Sequence, residues 1–182
     1  GGKYNTTAKA LSRAYELVEE GADIIDIGAE STRPGAKPIN LEYEKEKLAP
    51  IIKNLIKNNI LVSCDTRNST TMHIALDLGV KIINDVSGLN YDSNTINLLK
   101  KYNCLYVLMH SQGLPENMQI NPKYKNAPCE IYHFFKKKFY TLKEKGIDLS
   151  RIIIDPGIGF GKNLNHNLRI MSKISTFHSL GC

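Results

Sequence analysis

Five short apolar runs, each carrying a polar residue at or near its C-terminal end and each separated from the next by a helical pattern, constrain this chain more than any other feature. The runs are Asp23 to Gly28, Leu61 to Asp65, Lys81 to Val86, Cys104 to His110 and Arg151 to Asp155. Runs this short and this rich in isoleucine fit strands covered on both faces, as parallel sheets require. The segments between them are long enough only for crossovers, so the alternation predicts an α/β fold with parallel strands.

The helical segments carry their own signals. In residues 7 to 20, Ala10, Leu11, Ala14, Leu17 and Val18 share one face, and Gly21 stands where a C-terminal cap belongs. Asn40 caps a second helix whose face is Leu48, Ile51, Ile52, Leu55 and Ile56, and Pro50 inside it predicts a kink or a late start. Further helices are expected from Ser69 or Thr70 to Leu78, from Ser93 to Tyr102, from Pro128 in the first helical position to Gly146, and from Asn165 to Ile174, with no clear element after the last. The polar stretch from Ser111 to Ala127 holds Pro115 and Pro122 and reads as a mobile loop.

Six helices and five strands suit either a doubly wound sheet or a (β/α)8 barrel. Polar residues at five successive strand ends favour the barrel, where every strand delivers to one mouth. A doubly wound sheet would concentrate them at a switch point beside a glycine-rich phosphate loop, and neither GxGxxG nor GxxxxGK[ST] occurs. A barrel normally takes about 250 residues. The chain has 182, so the expected architecture is a partial (β/α)8 TIM barrel, a single domain over residues 1–182.

Composition narrows the function classes. With 42% hydrophobic and 23% charged residues the chain can bury a sizeable core, and no apolar run approaches a membrane span. The net charge of +6 fits an anionic small substrate or nothing in particular, and neither nucleic acid nor membrane is expected as a partner. Lys136-Lys137-Lys138 reads as a solvated helix face. Four cysteines without CxxC spacing point to a reducing compartment, with Cys64 and Cys104 as buried small hydrophobes.

The strand ends supply the chemistry. Arg33 in the loop Glu30-Ser31-Thr32-Arg33-Pro34-Gly35-Ala36 offers a planar fork for phosphate or carboxylate, with the Thr32 hydroxyl beside it. Asp65 must be paired or solvated, and a guanidine-like heterocycle edge would satisfy it. Asn84 can donate and accept, Met109 can pack on a flat ring, and Asp155 opens a glycine loop in which Phe160 can lie against an aromatic ring. Asp26 and His110 read first as structural residues, and Lys162 as a surface charge. Together these ends predict a pocket for a planar, nitrogen-rich ring, with Arg33 serving an anionic leaving group.

DIGAESTRPGA at 26 to 36, SCDT at 63 to 66, INDVSG at 83 to 88, MH at 109 to 110 and DPGIGFGK at 155 to 162 closely resemble the dihydropteroate synthase family over the whole chain. The resemblance implies a transferase of folate biosynthesis that joins 6-hydroxymethyl-7,8-dihydropterin pyrophosphate to 4-aminobenzoate, releasing pyrophosphate, and that sulfonamides inhibit. By motif, Asp65, Asn84 and Asp155 would bind the pterin, Val86, Met109 and Phe160 would line its pocket, and Thr32 and Arg33 would cover pyrophosphate and 4-aminobenzoate. Asp65 and Arg33 would be the catalytic pair. The cofactor implied is Mg²⁺, whose ligands would lie outside these residues, along with one strand in front and two strand-helix units behind. A homodimer is implied for a full-length enzyme, and a cytoplasmic location is expected. Two alternatives share the ring ligands: a methyltetrahydrofolate:corrinoid methyltransferase-type barrel and a noncatalytic pterin-binding fragment.

Overall fold

The structure, a computed structural model, describes residues 3–31, 39–113 and 117–182. Within them six α-helices and five strands alternate: α1 (Thr7–Glu19), β1 (Ile25–Gly28), α2 (Leu41–Lys57), β2 (Val62–Asp65), α3 (Ser69–Asp77), β3 (Ile82–Asp85), α4 (Thr95–Lys101), β4 (Leu105–Met109), α5 (Ala127–Glu144), β5 (Ile152–Asp155) and α6 (Leu164–Ser172). All four strand pairings are parallel, and the strand order is that of the sequence. A doubly wound sheet reverses its order at the switch point. This one never does, and the arrangement is that of consecutive units of a (β/α)8 barrel.

Local chemistry sets the element ends. The Thr6 hydroxyl accepts from Lys9 N, and the Asn40 side chain accepts from Glu42 N, so two orphan amides are satisfied. The late start expected at Pro50 does not occur; α2 runs from Leu41 through Pro50 to Lys57. Its first turn is already nucleated by the Asn40 cap, and Leu48, Ile51, Ile52 and Leu55 hold both sides of the proline in the core. Pro128 is the second helical residue of α5, after the cap at Asn126 and Ala127. Beyond α6 the chain does form an element that periodicity missed, a 3₁₀ segment over Ile174–Leu180 that buries Phe177. Of the lysine triplet, Lys138 is not simply solvated: its Nζ donates to Leu89 O and to Asn90 Oδ1.

Register divides each strand into two rows. Ile25, Val62, Cys64, Ile83, Tyr106, Leu108 and Ile152 form the outer row and are buried under the helices. The inner row carries the polar residues near its C-terminal end. Toward the opposite end of that concave face, Ile24, Leu61, Leu105 and Ile153 are each at least 40% exposed. All four cysteines are free, with Cys64 and Cys104 buried, and no helix among the described residues is long and apolar enough to cross a membrane.

One buried carboxylate fixes the loop after β2. Glu44 of α2 is fully buried and accepts from Thr66 Oγ1 at 2.7 Å, Thr71 Oγ1 at 2.6 Å and Asn68 Nδ2 at 2.8 Å. It lies four residues before Leu48 on the apolar stripe, and the three donors replace the water it gives up. Glu44→Ala leaves all three donors unsatisfied and is expected to cost about 3–5 kcal/mol in urea unfolding, with Glu44→Gln less harmful. A loss below about 1 kcal/mol in the alanine variant rejects this role for Glu44.

Candidate functional site

Parallel register brings the polar strand ends to one side. Asp65 of β2 pairs with Asn84 of β3, Asn84 with Val107 of β4, and Met109 with Asp155 of β5. All belong to the inner row, as does Asp26, so one rim carries three carboxylates and an amide. Val86 follows Asn84 in the same parity just past β3, and Phe160 stands on the glycine loop after β5. Thr32 and Arg33 lie outside the described residues.

Asp65 is the electrostatic centre of this rim. Among the described residues no donor reaches its carboxyl. Burial, followed by the charges of Asp26, Asp85, Glu30 and Glu44, pushes its pKa up to about 7. Its register partner is Gly28, where an added Cβ would stand 3.1 Å from the Asp65 carboxyl and backbone. That glycine keeps the space in front of Asp65 open.

The neighbouring groups are partly committed. Asn84 Nδ2 donates to Asp26 Oδ2 at 3.1 Å, which orients the amide and gives Asp26 a place in the rim rather than in the core. Asp155 Oδ1 accepts from Gly157 N at 2.7 Å, which leaves its other oxygen for a ligand. Met109 is buried, whereas Asn84, Val86, Asp155 and Phe160 are half-buried.

Two cavities open at this end. One of about 690 Å³ runs between α1, β1 and α2 and includes Asp26 and Asp65. Another of about 270 Å³ includes Val86, Met118 and Phe160. Asn84, Met109 and Asp155 line neither, and the structure thus divides the sequence-predicted set rather than enclosing it in one chamber. Glu30 borders both cavities.

Sequence reasoning missed a clamp between them. Arg67 Nε and Nη2 each donate at 2.8 Å to the two Glu30 oxygens, and the guanidinium lies 4.1 Å from the centre of the Tyr91 ring. Both side chains of the ion pair are largely buried, so bidentate geometry, rather than charge alone, makes it effective. Glu30 Oε1 also accepts from Ile39 N. One arginine therefore joins the segments that follow β1, β2 and β3. Its only sequence signal was its place two residues after Asp65.

The loops after β4 and β5 are also joined. Gln119 Nε2 donates to Gly159 O, Tyr124 Oη to Gly161 O, and Lys162 Nζ to Phe160 O. Lys162, expected as a surface charge, is 3% exposed. His110, expected to be structural, is buried beside it, and burial together with the Lys162 charge lowers its pKa to about 3.

No group of three or more His, Cys, Asp or Glu among the described residues could hold a metal ion. No chemical step is assigned to Mg²⁺.

The chain is similar to known proteins in both sequence and fold. The dihydropteroate synthase of Neisseria meningitidis serogroup C is 42% identical over 173 residues, 94% of this chain and 61% of that protein. A Yersinia pestis dihydropteroate synthase with a sulfonamide drug complex superposes with a TM-score of 0.92 at 33% identity, covering 98% of this chain and 65% of the other. The Burkholderia cenocepacia enzyme complexed with 7,8-dihydropteroate does so at 0.86 and 34% identity, covering 94% and 61%. This chain thus spans roughly three fifths of such relatives. The model of the family described as pterin binding enzyme matches residues 1–182, and with that match the chain belongs to the pterin-binding enzyme family.

Proposed function

We propose that the chain is the pterin-binding part of a dihydropteroate synthase, a single domain over residues 1–182. The observation that carries the reading is Asp65, a carboxyl with no donor among the described residues, at the centre of an acidic rim. A pterin edge offers adjacent N–H groups and a ring carbonyl. Asp65 and the free oxygen of Asp155 would accept from the former, and Asn84 would give and take one bond each. Val86, Met109 and Phe160 would pack on the ring faces.

In the reaction, the bond between the pterin methylene carbon and the pyrophosphate oxygen breaks, and the electron pair leaves with pyrophosphate. The amine nitrogen of 4-aminobenzoate then forms the new bond to that carbon and releases a proton. Positive charge develops on the pterin between these events, and ionised Asp65 would stabilise it. Arg33 and Thr32 would meet the pyrophosphate and 4-aminobenzoate. Mg²⁺, sulfonamide inhibition, a cytoplasmic location and a homodimer of the longer enzyme belong to the same proposal. The names of the relatives favour it over a corrinoid methyltransferase.

A chimera tests the proposal: this chain joined at both ends to the flanking segments of the Neisseria enzyme, assayed with both substrates and Mg²⁺. Sulfonamide-sensitive dihydropteroate formation is expected. No product under conditions where the parent enzyme turns over rejects the activity.

A further inference from the structure

We infer that Lys162 is the positioning residue of the ring site: its buried ammonium ties the end of β4 to the loop after β5 and so holds Phe160 and Asp155 where a ring can meet them. This rests on the proposed pterin site for its functional consequence, although the tie itself is independent of any ligand.

The geometry is a match of three donors to three acceptors. Lys162 Nζ lies 2.8 Å from Phe160 O, 3.2 Å from His110 O and 3.1 Å from His110 Nδ1. No carboxylate is in ion-pair contact with it among the described residues. A lysine buried without a counter-ion is costly, and satisfying all three N–H groups offsets that cost only with the acceptors in these places. Packing leaves little freedom. A Cβ on Gly157 would stand 3.3 Å from Nζ, and one on Gly161 would overlap Gln112 O.

The same arrangement dictates a proton position. An ammonium can only donate, so His110 Nδ1 must accept and the imidazole proton must sit on Nε2. The groups around the pair agree with this state. Asp155 favours the charged lysine, while Tyr124, whose ring lies 6.1 Å from His110, has its hydroxyl pushed up to about 12 and stays neutral. Phe134 meets the imidazole edge-on at 4.9 Å, with Lys138 beyond it, and His166 meets Tyr124 edge-on. Burial lowers the Lys162 pKa to about 8, so its proton can be removed without extreme alkali.

Loss of that proton has two opposite effects. The unfolded chain holds the lysine proton up to its ordinary 10.5, whereas the folded chain releases it from about 8. Stability from this group therefore rises with pH across that window. The amine, however, has two N–H groups for three acceptors, and the tie to β4 or to Phe160 is broken. Ring affinity should fall where fold stability rises, a divergence that a purely structural lysine does not produce.

Nitrogen-detected NMR of the ligand-free 182-residue chain tests the tie, and fluorescence titration with 6-hydroxymethylpterin tests its consequence. We expect His110 to carry its proton on Nε2 at pH 7 and to change state as Lys162 titrates. Lys162→Met, with its fold verified by circular dichroism, should bind the pterin at least about tenfold more weakly at pH 7, the scale of one lost charge-assisted bond. The wild-type to variant affinity ratio should shrink as pH passes 8, which cancels titration of the ligand itself. A folded Lys162→Met with wild-type affinity overturns the inference. So does a proton on His110 Nδ1 at pH 7, which needs no variant to fold. If the wild-type chain binds no pterin, the proposed ring site fails instead, and the NMR result still decides the tie.

Discussion

Asp65→Asn is expected to weaken pterin binding roughly 100- to 1,000-fold, the scale of two bonds to a charged acceptor, while making the fold more stable. The two effects share one cause. A carboxyl raised to about 7 is easier to protonate in the folded chain than in the unfolded one, where it titrates near 3.8. Its favourable contribution is complete below 3.8 and is lost as pH rises through 7, so above 7 the fold carries the full cost of an ionised Asp65. Removing that cost should raise unfolding stability at pH 8 by on the order of 2–4 kcal/mol. A ligand that donates to Asp65 needs the carboxylate, so binding at pH 7 should release protons. Calorimetry in buffers of different ionisation enthalpy measures that release. An asparagine variant that binds normally, or a wild-type chain that binds without proton release, rejects the assignment of Asp65.

Gly157→Ala is the second large effect. Gly157 has φ +68°, and an added Cβ would overlap the carbonyl oxygen of His110. Left-handed strain and a collision with backbone rather than with a side-chain tip should cost about 2–5 kcal/mol. Because Gly157 N also holds Asp155 Oδ1, the displaced loop should misplace that carboxylate and reduce pterin affinity with it. Chemical denaturation checks the first consequence and fluorescence titration the second. A stability change under about 1 kcal/mol means that the loop yields more readily than its packing indicates.

The periodic features were legible in the sequence, and the pairwise ones were not. Apolar runs such as 61–65 and helix faces such as Leu48, Ile51, Ile52 and Leu55 are local patterns set by backbone geometry, so they predicted the elements within a few residues. Strand order is a tertiary property. The polar strand ends already favoured a barrel over a doubly wound sheet, and the pairing of each strand with its successor bears that out. Asp65, Asn84 and Asp155 stood out because a polar residue ending an apolar run is itself a pattern. Lys162 did not, since two of its acceptors belong to His110, 52 residues away, and a backbone carbonyl has no letter in the sequence. Glu44 could have been found from its place on the apolar stripe of α2. Arg67 offered less, because its partners Glu30 and Tyr91 come from two other loops.

The unreversed strand order also bears on how the chain reaches this structure. Every β pairing joins consecutive strands, so each new strand meets an edge that is already in place. Among the described strands no pairing waits for a distant segment, which keeps loop-closure entropy low for a parallel sheet. Such a chain can assemble unit by unit from its N-terminal side as it is synthesised, and the acidic rim would then be built in the same order, Asp26 first and Asp155 last.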